Sequence, residues 1–255
     1  MLDWTGHCAI VTGGASGLGA ATALKLAESG MRVAVFDLDA DLGAAMTQRI
    51  GGFFVAVDVS DPASVASGIA ETVAKMGVPR VLVNCAGIAP AAKTVSRGEA
   101  HDASLFDRTL RVNLLGSFNC AAQAAAHMAA AEPIDEDGTR GVIVNTASVA
   151  AFDGQVGQVA YAASKGGVVS MTLPMARDLA DKGIRVCAIA PGLFLTPLLE
   201  GLPDDVQASL GAQVPFPSRL GNPVEFAEMV AHVTQNPMLN GEVIRLDGAI
   251  RMAPR

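Results

Sequence analysis

The feature that most constrains this chain is its opening. A short apolar run, residues 8–12, passes directly into Gly13-Gly14-Ala15-Ser16-Gly17-Leu18-Gly19 and then into a helix-forming stretch, residues 20–28. An apolar run closed by a glycine cluster reads as a strand and a tight turn. Gly13, Gly17 and Gly19 carry the spacing G-x3-G-x-G, and each glycine has a mechanical use. One permits the turn, one lets the backbone approach a pyrophosphate, and one lets the helix pack on the sheet. The helix that follows presents free N–H groups and a partial positive charge to that same place.

The rest of the chain repeats the alternation. Residues 32–37, 53–58, 80–84, 141–146, 184–190 and 243–246 are continuously apolar and rich in Val and Ile. Strands covered on both faces have that composition. The intervening stretches are long enough for helical crossovers, so the expected fold class is α/β, a doubly wound parallel sheet with helices on both faces. Gly30, Gly77 and Gly183 stand between helix and strand, where a C′ glycine belongs. Asp61-Pro62 and Asn222-Pro223 set a capping side chain before a proline at the first helical position. No interior linker or repeat interrupts the chain, so residues 1–255 are expected to form one domain. Segments 91–105 and 192–221 are long for plain loops and are candidate binding loops or lids, the first alternatively a peripheral insertion without function.

Composition narrows the class. The chain is 51% hydrophobic and 17% charged, with a net charge of −7. That excludes a disordered chain and gives no basic stripe, so no nucleic-acid partner is expected. No apolar run is long enough to span a bilayer, and no membrane role is expected. Residues 1–6 carry neither a basic region nor an apolar one, and no Arg-rich transit peptide is visible. The expectation is a cytoplasmic protein. Cys8, Cys85, Cys120 and Cys187 lack metal-ligand spacing, as do His7, His101, His127 and His232. No metal site is expected, and the thiols read as reduced and buried.

Asp37 ends the second strand, 18 positions after Gly19. A carboxylate there accepts hydrogen bonds from ribose hydroxyls and repels a 2′-phosphate, which points to NAD over NADP. The competing reading is that Asp37 and Asp39 only begin a polar turn. Asp58 either binds an adenine amino group or caps the helix near Pro62. Asn84-Cys85-Ala86-Gly87 either lies against a cofactor or is an ordinary strand-to-loop turn. Ser16 either contacts phosphate or supports its turn.

Tyr161 and Lys165 are four apart in a predicted helix and so share one face. A free tyrosine, with pKa near 10, is a poor base at neutral pH, and a nearby ammonium favours its phenolate. Ser148 follows the fifth strand, at the carboxyl end where ligand crevices of such sheets form. Tyr161 is the only tyrosine in the chain, so the pair is not one chance match among many. Asn113 falls in a helical stretch, where a buried amide is costly unless it holds a water or a backbone carbonyl.

Taken together, Thr12-Gly13-x3-Gly17-x-Gly19, Asn84-x-Ala86-Gly87, Asn113, Ser148, Tyr161-x3-Lys165 and Pro191-Gly192 resemble the short-chain dehydrogenase/reductase family, in order and over nearly the whole chain. Cys85 departs from the second Asn usual there. The resemblance implies a single Rossmann-type domain with a seven-stranded parallel sheet and a homotetramer. It also implies a relay of Asn113, Ser148, Tyr161 and Lys165. Cys85-Ala86-Gly87 and residues 152–158, 172–174, 214–221 and 240–252 resemble, more narrowly, a subgroup acting on 3-hydroxyacyl-CoA. By position this implies NAD contacts at Ser16, Leu18, Asp37, Asp58, Val59, Cys85, Phe194 and Thr196, with Gln155 near the substrate.

The expected reaction is therefore NAD-dependent oxidation of a 3-hydroxyacyl-CoA to the 3-oxoacyl-CoA. A 2-methyl-branched substrate, as in isoleucine degradation, is one option. The alternatives are an NAD-dependent dehydrogenase of a 17β-hydroxysteroid or other hydrophobic secondary alcohol, a reductase of acyl-carrier-protein thioesters, and a non-catalytic nucleotide sensor. Asp37 disfavours the NADPH chemistry of the reductase. The complete set of four polar residues has no use in a sensor.

Overall fold

The computed structural model describes residues 1–254, the side chain of Leu198 excepted. Its strands are β1 (Cys8–Thr12), β2 (Arg32–Asp37), β3 (Phe53–Ala56), β4 (Pro79–Asn84), β5 (Val95–Ser96), β6 (Glu99–Ala100), β7 (Gly141–Thr146), β8 (Ile184–Pro191) and β9 (Val243–Leu246). Seven of them form one sheet in the order β3-β2-β1-β4-β7-β8-β9. Every neighbouring pair in it is parallel. The chain moves outward from β1 in one direction and then restarts at β4 in the other. The carboxyl ends of β1 and β4 thus flank the switch point where open α/β sheets bind ligands.

The α-helices are α1 (Gly17–Glu28), α2 (Ala40–Ile50), α3 (Pro62–Met76), α4 (Ala103–Leu110), α5 (Gly116–Ala129), α6 (Ala150–Asp153), α7 (Val159–Asp178), α8 (Pro197–Glu200), α9 (Asp204–Gly211) and α10 (Pro223–Gln235). They cover both faces. Ile10, Phe36, Leu82 and Ile143 face one way and pack with Val65, Ile69, Ala121 and Met128. Val11, Val35, Val83 and Val144 face the other way and pack with Leu26, Phe226 and Val230. Alternate residues of each strand therefore feed two cores, which is why the strand sequences are apolar throughout.

The local signals act as expected at most boundaries. Gly30, Gly77 and Gly183 all adopt positive φ after their helices. Asn222 and Glu225 form a reciprocal capping box at α10. Asp61, not Asp58, caps α3 through the Ala63 amide. The Asp58 carboxylate instead accepts from the amide and hydroxyl of Ser60. The expected strand 53–58 stops at Ala56, although the Val57 amide still donates to the Asp37 carbonyl.

The two long segments are not structureless. Residues 91–105 contain the antiparallel pair β5–β6 and the start of α4. Arg97 and Gly98, both at positive φ, form its two-residue turn. Such a turn matches the twist of a hairpin. Residues 192–221 carry α8 and α9. No described helix is long and apolar enough to cross a membrane.

Candidate active site

A cavity of about 520 Å³ opens at the carboxyl ends of the central strands. This size is typical of small-molecule pockets. Thirteen of the expected site residues line it: Gly13, Ser16, Gly17, Leu18, Gly19, Asp37, Asp58, Val59, Cys85, Gly87, Tyr161, Lys165 and Thr196.

The glycine turn forms its floor. A Cβ on Gly13 would stand 2.7 Å from the Ala86 amide nitrogen, and a Cβ on Gly19 would overlap the Gly13 carbonyl. Gly17 sits at φ +52°, a conformation that side chains resist. The Ser16 side chain makes no capping bond to α1, so it does not support its turn in that way. Its exposed hydroxyl and the first amides of α1 are left facing the cavity.

Asp37 does more than begin a polar turn. Its Oδ2 accepts from the Ala15 amide at 3.0 Å, and its Oδ1 accepts from Leu38 and Asp39. The carboxylate thus ties the end of β2 to the glycine turn while it borders the cavity. Asp39 has a separate task, capping α2 through the Leu42 amide. Thr12 holds the opposite wall: its hydroxyl accepts from the amides of Cys85 and Ala86.

On the catalytic side, Tyr161 and Lys165 project from α7 on one face. The Lys165 ammonium is buried and donates to the Thr146 carbonyl at 2.6 Å. It lies 5.9 Å from the centre of the Tyr161 ring. Burial lowers the Lys165 pKa to about 8. The expected depression of the Tyr161 pKa is not present. Burial raises it, and the nearby Ser148 hydroxyl opposes that rise only in part. The ammonium is committed to a backbone carbonyl, so desolvation dominates at the phenol. Burial also pushes the Cys85 thiol up to about 11, leaving it protonated and unreactive.

Asn113 lies behind the cavity wall. It falls in a π-helical turn, residues 111–115, between α4 and α5. Such bulges free backbone groups and redirect side chains. The buried amide is fully used: Oδ1 accepts from the Ile88 amide, and Nδ2 donates to the Ile88 carbonyl and the Ser164 hydroxyl. Gly87 separates it from Lys165; a Cβ there would lie 3.2 Å from Asn113 Oδ1 and 3.7 Å from Lys165 Nζ. Ser148 is buried, and its hydroxyl accepts from the Ala150 amide at the start of α6.

Three expected contacts, Ser148, Phe194 and Gln155, are not among the residues that line this cavity. The Phe194 ring is 7% exposed and packs edge-on against Phe226, so only its main chain is left to serve a ligand. Gln155 donates to the Ala253 carbonyl on the C-terminal segment. Conversely, Arg108 and Val112 line the cavity, and Ser164 holds Asn113, although no sequence motif marks them. Ser164 has one visible signal, its position one helical turn after Tyr161.

The profile of short chain dehydrogenases matches residues 7–207. This chain belongs to the short-chain dehydrogenase family. It is 54% identical over 253 residues to 3-hydroxyacyl-CoA dehydrogenase type-2 of Homo sapiens, covering 98% of this chain and 97% of that protein. The Drosophila melanogaster protein of the same name is 51% identical over 249 residues, covering 96% and 97%. The crystal structure of 3-hydroxyacyl-CoA dehydrogenase type-2 from Mycobacterium avium superimposes with a TM-score of 0.94, at 42% identity and full coverage of both chains. The family membership makes the chain an oxidoreductase and explains why the glycine turn and the Tyr161–Lys165 pair share one cavity.

Proposed function

We propose that this short-chain dehydrogenase oxidises the 3-hydroxyl of a 3-hydroxyacyl-CoA ester to the ketone, with NAD as its partner. The observation that carries the reading is the single cavity joining the Gly13–Gly19 cradle, Asp37, Tyr161 and Lys165. The names of the relatives support the acyl-CoA substrate.

The residues present fit a dinucleotide. The Cβ-excluding glycines leave room for a pyrophosphate on backbone amides. Asp37 offers a carboxylate to ribose hydroxyls, with no Lys or Arg next to it in the sequence to offset a 2′-phosphate. Asp58 and Val59 border the adenine end. Cys85, Gly87, Thr196 and the main chain of Phe194 complete the wall, and Lys165 serves the second ribose. NAD, when bound, supplies a hydride acceptor.

The chain supplies the proton chemistry. Ser148 and Tyr161 hold the reacting hydroxyl, and Tyr161 receives its proton. Lys165 provides the positive charge that makes a phenolate attainable in a buried site. Asn113 fixes the Ile88 segment that borders Lys165. Gln155, on the segment following Ser148, belongs to the substrate side. We extend the reading to one domain over residues 1–255, a homotetramer and a cytoplasmic location. Light scattering tests the assembly, and a monomer would remove it.

The deciding assay is NADH formation by the purified protein on 3-hydroxybutyryl-CoA, its 2-methyl analogue, a 17β-hydroxysteroid and an acyl-carrier-protein thioester. Much higher kcat/KM on the CoA esters supports the proposal. Preference for the steroid, or silence on both CoA esters, overturns the substrate assignment.

A further inference from the structure

The segment that carries Ser148 is held from the far edge of the sheet. Ser148 begins a short unit. Its hydroxyl accepts from the Ala150 amide, and the Asp153 amide donates to the Val149 carbonyl. Asp153 closes α6 and turns its carboxylate toward Arg245 on β9. Arg245 donates to both Asp153 oxygens, at 2.6 and 3.4 Å. The Arg245 Nε donates to Asp247 at 2.7 Å, and Nη2 also donates to the Ile250 carbonyl. The guanidinium lies 5.2 Å from the centre of the Phe152 ring.

This is a largely desolvated cluster. The side chains of Arg245, Asp153 and Asp247 are 20%, 17% and 7% exposed. Arg251, whose side chain is 64% exposed, adds a second cation on Asp247 from the solvent side at 3.1 Å. Two cations face two carboxylates, so the cluster is neutral as a whole. Charged clusters removed from water return little net stability compared with well-packed apolar side chains. What a fork of fixed donors does supply is geometry. Here the fork joins α6 to β9. Asp247, its other carboxylate, packs on Gly192, where a Cβ would meet the Asp247 Cα at 2.9 Å. Two further bonds pin the same segment: Gln155 Nε2 to the Ala253 carbonyl, and the Val156 amide to the Pro254 carbonyl.

We propose that Arg245 is a positioning residue for Ser148: through Asp153 it sets α6, and through Asp247 the start of segment 192–221. None of these three side chains lines the cofactor cavity, so their effect passes through backbone placement. The proposal rests on the dehydrogenase reading for its activity readout, and the two fail differently. A wild-type protein inactive on every alcohol would fault that reading, whereas an active wild type with fully active variants would fault the positioning role.

The test uses Arg245→Met, Arg245→Lys, Asp153→Asn and the double variant Arg245→Met/Asp153→Asn. A misplacement of about 1 Å can cost about 100-fold in rate, and a partial release of α6 should cost on the order of 10-fold. The expected result is a kcat lowered on the order of 10-fold in both Arg245→Met and Asp153→Asn, with NADH affinity within about 2-fold of wild type. The double variant should be no slower than the worse single, because both remove one link. Arg245→Lys, which keeps the charge but not the fork, should fall between. Should Arg245→Met fail to fold, Asp153→Asn alone decides by the same kcat loss. An unchanged kcat in Asp153→Asn, accompanied only by a lower melting temperature, would overturn the proposal. So would losses that simply multiply in the double variant.

Discussion

Replacing Gly87 with Ala tests whether Asn113 acts on the Tyr161–Lys165 pair through the wall between them. The added methyl would stand 3.2 Å from Asn113 Oδ1 and 3.7 Å from Lys165 Nζ. The second distance is ordinary van der Waals contact, so the ammonium is not pushed. The first is too close, and the amide must retreat by a few tenths of an ångström. Asn113 has little freedom to do so, because it is bonded to the Ile88 amide and carbonyl at 2.8 Å and to Ser164 at 3.0 Å. A retreat of about 0.4 Å would stretch the Ile88 bonds to the long end of the useful range. Overpacking of this kind costs about 1–3 kcal/mol, offset by about 0.4–1 kcal/mol from the stiffer unfolded chain. The expected net destabilisation is about 1–2 kcal/mol, read as a melting temperature lower by roughly 2–8 °C. The expected kcat is on the order of 10-fold lower. Gly166→Ala is the control: it neighbours Lys165 in sequence, but a Cβ there meets nothing within 4 Å. That variant should gain about 0.5–1 kcal/mol and keep its kcat. Wild-type kcat in a folded Gly87→Ala enzyme that still binds NADH would refute the coupling.

Tyr161→Phe should lower turnover by about 10²–10⁴ while NADH binding, followed by fluorescence, is retained; near-normal turnover would remove Tyr161 from the chemistry. Asp37→Ser should narrow the ratio of kcat/KM for NAD over NADP, because it removes the charge that repels a 2′-phosphate. An unchanged ratio would assign Asp37 to the Ala15 contact alone. Gly19→Ala should abolish NADH binding and cost about 1–3 kcal/mol, since its Cβ would overlap the Gly13 carbonyl; intact binding would show that the turn has slack. Lys165 titrates near 8, and Tyr161 above its usual value. Oxidation needs the pair to accept a proton and reduction needs it to give one. Loss of one proton from the coupled pair, near 8, leaves a form in which Lys165 can keep its charge while Tyr161 is the phenolate, so the rate of oxidation should rise as pH climbs through about 8, and that of reduction should fall. Parallel profiles in the two directions would contradict this.

The sheet was legible because its strands are buried on both faces. Residues 8–12, 32–37, 141–146 and 243–246 form strands with the expected bounds, each a Val- or Ile-rich run closed by a turn. The glycine turn and the Tyr161–Lys165 pair were legible for a related reason. Steric need and helical spacing leave a mark at fixed intervals. The hairpin at Arg97-Gly98 also left a mark, a two-residue turn ending in glycine, but its flanking strands have only two residues each. The π-helical turn at Asn113 left none, and the bonds that hold its amide reach Ile88 and Ser164, far off in the sequence. Positional resemblance left unsaid which part of Phe194 and of Gln155 would serve a ligand, for the same kind of reason. Position along the chain does not say whether the ring or the backbone faces the cavity, and the Phe194 ring turns to Phe226 instead.

The electrostatics of the pair follow from that buried setting. A phenol raised by burial and an ammonium lowered by it are each biased toward the neutral form. Neither bias persists if the two groups face each other across a shared polar partner, since each charge then offsets the desolvation of the other. The bond from Lys165 to the Thr146 carbonyl sets what must change for that to happen. A ribose hydroxyl accepting from the ammonium would compete with that carbonyl and draw the charge into the cavity, toward Tyr161. Binding of the dinucleotide would then do more than deliver a hydride acceptor. It would create the electrostatic condition under which Tyr161 becomes a competent base, and so tie proton removal to the presence of the group that takes the hydride.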